Sequence, residues 1–192
     1  MTDQGQERDA IARMQQGDVD GMEILVRLYA RRALRAACLV THDYGLAEDA
    51  VQEAFIRVYV RIDRFDATRP FGPWFFRVLT RTAIDAANRQ DRGGYSSLQS
   101  ATEFADSLPT REIGPEAASE GAELRALVWD ALAQLPPKQR AAIVMRYYLD
   151  LPEDDMAREL AVAPGTVKSR LHAARCLLRG MLLTSLMEEV RR

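Results

Sequence analysis

Apolar residues return at intervals of three and four along almost the whole chain, and strict alternation is nearly absent, so the pattern predicts an all-α protein with no sheet. Helices are expected over about 6–16, 20–40, 45–65 and 72–90, then over 117–134, 137–149, 153–160 and 164–187. Gly17, Gly45 and Gly72 punctuate the first group. Between the groups, residues 92–118 are rich in Gly, Ser, Thr, Pro and acids and hold no sustained apolar period. They are expected to form a flexible linker between two small helical domains, 1–91 and 119–192. Fully extended, such a linker reaches roughly 90 Å, but as a free coil it averages about 30 Å.

Two stretches carry more than one helical face. From Gly45 to Phe65, the residues Ala47, Val51, Ala54, Val58, Ile62 and Phe65 form one apolar stripe, which is expected to be core. Asp49, Glu53, Ile56 and Val60 project about opposite it, mixing acids with apolar groups. Either this helix is central and packs Ile56 and Val60 against another helix, or the second face docks on a partner.

Near the C-terminus, Glu153–Leu160, a break at 161–163 and a helix from Pro164 read as a helix-turn-helix, with Met156, Leu160, Val162, Val167 and Leu171 as its shared core. The outer face of the second helix presents Gly165, Thr166, Ser169, Ala173 and Cys176, flanked by Lys168, Arg170, His172 and Arg175. Small and hydroxylated residues allow approach to base edges while cations reach phosphates, which suits a recognition helix in a major groove. A basic solvated helix in a bundle is the plainer alternative.

Composition narrows the classes. The chain has 192 residues, 47% apolar and 28% charged, a globular balance. Its longest apolar runs, such as Ala141 to Met145, are too short to cross a membrane, and its start lacks an apolar signal core, so no membrane insertion and a cytoplasmic location are expected. Cys38 and Cys176 stand far apart with no CxxC, so neither a disulfide framework, a metal nor a cofactor is expected. The net charge of −2 conceals polarity: residues 96–123 set Arg111 against six acids, whereas Pro164 to Arg179 holds four cations and no acid.

A third stretch, Asp66 to Asp91, opens with a Pro/Gly loop and continues as a helix in which Phe71, Trp74, Phe75 and Phe76 mingle with Arg69, Arg77, Arg81 and Arg89. Aromatic stacking surfaces beside phosphate partners are what single-stranded nucleic acid requires. For Trp74, base contact and core filling stay equally open.

These residues resemble a known family. Leu132 to Arg179, with LPPKQR, Arg-Tyr-Tyr at 146–148 and Gly-Thr-Val-Lys-Ser-Arg at 165–170, looks like the promoter-reading region 4 of bacterial extracytoplasmic-function sigma factors. LAEDAVQEAFIRVYVRIDRFD, from Leu46 to Asp66, resembles sigma region 2.2, and the aromatic-arginine stretch resembles regions 2.3 and 2.4. The resemblance implies an alternative sigma factor in which a region 2 bundle docks core RNA polymerase and a region 4 helix-turn-helix reads DNA. Core polymerase, through its beta-prime and beta subunits, promoter DNA and an anti-sigma factor are the implied partners. The implied polymerase contacts are Glu48, Asp49, Gln52, Glu53 and Phe55. Minus-10 single-strand contacts would be Arg69, Phe71, Trp74, Arg77, Arg81 and Arg89, and minus-35 contacts Gly165, Thr166, Lys168, Ser169, Arg170, His172 and Arg175.

The chain departs from the family at Leu46, where an acid is usual, at Arg81, where Asn is usual, and in the helix-turn-helix. There Ala161 stands where Gly is frequent and Ala163 replaces a Ser cap. A left-handed Ala161 would cost roughly 1 kcal/mol or more, and a missing cap about another 1, partly offset by Pro164 at the first helical position. A freestanding helix-turn-helix regulator would explain 150–179 but leave the other two faces idle. Acid pairs such as Asp154/Asp155 and Glu188/Glu189 have no catalytic constellation nearby in the sequence pattern, so an enzyme is not expected.

Overall fold

The three-and-four spacing becomes helix at each expected place in a computed structural model that describes residues 3–93 and 115–189, with side chains for 4–90 and 123–183. The first half contains α1 (Asp3–Gln15), α2 (Asp20–Thr41), α3 (Tyr44–Arg61), a short 3-10 turn (Ile62–Arg64) and α4 (Phe71–Gly93). The second contains α5 (Pro115–Ala133), α6 (Pro137–Ile143), a π-helical turn (Val144–Tyr148), α7 (Glu153–Leu160) and α8 (Pro164–Glu189). No strand occurs among the described residues.

Two boundaries differ from the expected ones. The linker expected over 92–118 is encroached on from both sides, because α4 runs to Gly93 and α5 starts at Pro115; residues 94–114 lie outside the described residues. The helix expected over 137–149 is not uniform. Its last turn widens, with the Leu149 N–H donating to Val144 O at 3.0 Å, a geometry that apolar spacing does not encode.

Local chemistry explains several of the ends. The α2–α3 corner needs a left-handed residue, supplied by His42 at φ 56°, whose N–H donates to Cys38 O. Asp43 then caps α3, its Oδ1 accepting from Leu46 N at 2.8 Å. At α1–α2, Gly21 is required for close approach, since a Cβ there would collide with the Ala10 carbonyl. The Gln15 amide donates to Ile62 O and Phe65 O at 3.0 and 2.8 Å, tying the end of α1 to the 3-10 turn.

In the first half, the α3 stripe Ala47, Val51, Ala54, Val58, Ile62 and Phe65 is buried, as its period predicts. It meets an aromatic knot from α2 and α4, where Tyr29 lies 5.2 Å from Phe71 and Phe55 lies 4.8 Å from Phe75 between ring centroids. In the second half Met156, Val167 and Leu171 are fully buried and Leu160 nearly so, with Val162 packed against them. Ala161 turns the chain in the left-handed region, at φ 52° and ψ 48°, the strained conformation expected if Gly is absent.

The halves are not separate bodies. Buried residues from both belong to one continuous apolar cluster, with α6 packed on α2 and α4, and α7 packed on α4. Polar contacts reinforce the junction: Arg32 Nη2 donates to Leu149 O at 3.3 Å, and the Arg77 guanidinium pairs with Glu159 at 3.0 Å. The His42 ring lies 3.9 Å from the Trp129 ring between centroids.

Candidate nucleic-acid interface

Helix α3 keeps its second face in solvent. Ile56 is 57% exposed, Val60 68% and Tyr59 46%, so no helix among the described residues sandwiches this face. Glu48, Asp49 and Gln52 are exposed beside them, and Glu53 is half-buried in an ion pair with Arg57 at 2.7 Å. Asp49, Gln52 and Glu53 line a groove of about 790 Å³ between α3 and α4, closed on the far side by Asp85 and Arg89. A hydrogen bond toward Glu48 holds the Tyr44 hydroxyl above its usual pKa range, which gives Glu48 a local partner. The face offers negative charge surrounding an apolar strip.

The approach to α4 is preset by Asp66. Its Oδ1 accepts from the Thr68 N–H at 3.0 Å and the Thr68 hydroxyl at 2.6 Å, which holds the carboxyl below its usual pKa range. The Arg69 N–H donates to Asp66 O, completing the turn; Pro70 stands just before the helix, and Pro73 lies in its first turn, where N–H groups need no partner. Trp74 is delivered half-buried, with its ring 4.7 Å from Phe65 and 5.7 Å from Phe71 between centroids. It also lines a groove of about 510 Å³ with Arg64, Arg69 and Arg77. Trp74 therefore has one side against the core and the other along a groove that carries four arginines and three acids. Asp155, Arg158 and Glu159 of α7 close this groove.

Helix α8 divides as its periodicity predicts. Val167, Leu171 and Ala174 are fully buried, whereas Gly165, Lys168, Ser169, His172 and Arg175 are exposed and Thr166 and Arg170 are half-buried. Several polar groups on the outer face already have intrahelical partners: Ser169 Oγ donates to Thr166 O at 3.0 Å and Arg175 Nε to Leu171 O at 3.1 Å. His172 Nε2 and Cys176 Sγ lie 3.7 Å apart.

Some expected contacts fall elsewhere. Phe55, expected to touch polymerase, is only 8% exposed, and Phe71, expected to touch single strand, is fully buried. Each ring has more apolar area to bury against Phe75 and Tyr29 than a surface position would use. Arg69, Trp74 and Arg77 do come together, and Arg81 is exposed a turn further along α4. Arg89 instead belongs to the other groove, with the acids of α3. Sequence reasoning missed Arg64, whose signal was its place just before Phe65 at the end of the α3 stripe. It also missed Glu159, which no local pattern could connect to Arg77 across 82 positions.

Comparison with known proteins bears on both halves. The Sigma-70 region 2 family model matches residues 25–93, and the Sigma-70 region 4 model matches 125–178. The chain is 31% identical over 176 residues to the ECF RNA polymerase sigma factor SigW of Bacillus subtilis, covering 90% of this chain and 94% of SigW. It is 32% identical over 181 residues to the ECF RNA polymerase sigma-E factor of Escherichia coli K12, covering 91% and 93%. Among solved structures, CnrH in complex with the cytosolic domain of CnrY superposes with a TM-score of 0.62 at 21% identity, covering 93% of this chain and 98% of CnrH, a likeness of fold. The sigma factor RpoE in complex with the anti-sigma factor NepR, from Bartonella quintana, gives 0.58 at 25% identity, covering 83% and 94%. A freestanding helix-turn-helix regulator is not favoured, because the half it would leave idle is the half that matches region 2. With both helical halves matched and relatives alike over nine-tenths of its length, the chain belongs to the extracytoplasmic-function family of RNA polymerase sigma factors, which direct transcription initiation.

Proposed function

We propose a division of labour in which α3 docks core polymerase, the groove around Trp74 holds the unpaired non-template strand near minus-10, and α8 reads the minus-35 duplex. One observation carries the proposal: the exposed faces are chemically opposite. The α3 face combines Asp49 and Gln52 with Ile56 and Val60, which suits a basic helical partner with apolar patches such as a polymerase subunit. The outer face of α8 is cationic, and the Trp74 groove sets four arginines against three acids, a balance that suits phosphate better than the α3 face does. The domain division follows the same lines, with 1–91 serving polymerase and minus-10, 119–192 serving minus-35, and an acidic connection between them. Catalysis is assigned to the polymerase, not to this chain. The site of action is the cytoplasm, and among the described residues no helix is long and apolar enough to cross a membrane. By analogy with the solved relative bound to NepR, an anti-sigma factor is proposed as a further partner.

Run-off transcription with the host core polymerase and genomic fragments tests polymerase, DNA and function together. Wild type should give discrete run-off products. The Arg77→Ala/Arg81→Ala variant should form closed complexes normally but expose fewer permanganate-reactive thymines near minus-10. Full opening by that variant would move the strand contact off α4.

A further inference from the structure

Three arginines crowd one edge of α2. Arg31, Arg32 and Arg35 fall within about 6 Å of rise along the helix, and all three act on the hydroxyl of Tyr148, which belongs to the π-helical turn of the second half. Arg32 Nη2 donates to Leu149 O at 3.3 Å and its Cζ lies 5.1 Å from the Phe76 ring centroid, while Arg35 donates toward the Tyr148 hydroxyl. Arg31 and Arg32 are exposed and Arg35 is half-buried. Among the described residues no carboxylate pairs with any of the three, and Arg31 makes neither an ion pair nor a hydrogen bond. Burial pushes the Tyr148 hydroxyl above its usual pKa range, and the charges that act on it are these arginines, which pull it the other way. Three guanidinium groups thus share one corner with no counter-charge, an arrangement that repels itself and that the packing of α2 does not require.

We propose that the α2 arginines, together with the Tyr148 hydroxyl, form a binding site for a polyphosphate anion, free or carried by a nucleotide. A guanidinium presents a planar fork of donors that fits phosphate oxygens. Three such forks within about 6 Å match an anion that carries several charges over the same length, as a chain of two or three phosphates does. The site shares no residue with the Trp74 groove or the outer face of α8, so it stands whichever of those faces holds nucleic acid. Its arginines come from the first half, whereas its hydroxyl and the carbonyl that orients Arg32 come from the second. An anion bound there prefers the chain with its halves packed, and it raises the temperature at which that chain unfolds.

Titration calorimetry of the full chain at low salt reads the binding of inorganic tripolyphosphate and of ATP, and scanning calorimetry reads the melting temperature. Wild type should bind one tripolyphosphate per chain, more weakly as salt rises, and should melt at a higher temperature in its presence. Arg31→Gln/Arg35→Gln should bind it about tenfold more weakly, because two charge-assisted contacts are lost. Arg35 also touches Tyr148, so Arg31→Gln alone, at an exposed position, keeps the test open if the double variant fails to fold; it should weaken binding about threefold. Equal affinity for the two probes assigns the site to a bare phosphate chain and tighter binding of ATP to a nucleotide, and either supports the proposal. Absence of binding by wild type, or unchanged affinity in the arginine variants, would overturn it. So would loss of binding in Lys168→Gln/Arg170→Gln, which would put the anion on the outer face of α8.

Discussion

His42 shows how one side chain can register the union of the two halves. It occupies a left-handed corner after α2, its ring lies on Trp129 of α5, and its Nε2 is buried without a hydrogen-bond partner. Burial, with the Arg140 charge adding to it, pushes its pKa down to about 3. An imidazole with a depressed folded value favours the folded state at pH values above its unfolded value near 6.5, and that contribution is lost as pH falls from there toward 3. Stability should drop by up to about 2 kcal/mol between pH 6.5 and 5 in chemical denaturation. His42→Asn, which tolerates the left-handed conformation, should flatten that dependence; an equally steep profile in the variant would place the sensitivity elsewhere. Of this arrangement the sequence shows very little. His42 reads as an isolated histidine after a helix, and its partner Trp129 is 87 positions away. Ala161 is the opposite case, because the family resemblance, in which Gly is frequent at that position, implies its strained turn, and the turn is found at φ 52°.

Among the elements, α3 was the most legible. Its buried stripe follows from a 3.6-residue period, and its exposed Ile56 and Val60 show that no described helix packs over the second face. Charge reversal in Asp49→Lys/Glu53→Lys should therefore weaken core-polymerase binding while leaving the circular dichroism spectrum intact. Asp49 is exposed and Glu53 pairs with Arg57 at the surface, so folding depends little on either; exposed ion pairs are worth about 0.2–1 kcal/mol. Retention of the variant on immobilised core polymerase at all salt concentrations would remove α3 from the docking surface. The aromatic residues of α4 were less legible. Phe71, Trp74, Phe75 and Phe76 look alike in sequence, yet Phe71 is buried in the knot while Trp74 also borders the groove. Periodicity identifies a helical face but not which of several large rings fills the available volume. For the same reason Phe55 looked like a contact and is core.

At the scale of the molecule, the two helical halves were visible in the sequence but their union was not. The Gly-, Ser- and acid-rich stretch suggests modules acting far apart, whereas α6 and α7 lie against α2 and α4. Such contacts join positions too distant for any repeat to reveal. The shared apolar cluster has a calorimetric consequence. Independent halves of this size would absorb heat in two events of about 50–60 kcal/mol each, whereas a chain with a single core should melt in one event near about 110 kcal/mol, with calorimetric and van't Hoff enthalpies in agreement. Two resolved endotherms for the free chain would mean that the junction contributes too little to couple them. A single endotherm means that neither half can lose its structure without releasing the other, so heat would destroy polymerase docking and duplex reading at the same temperature.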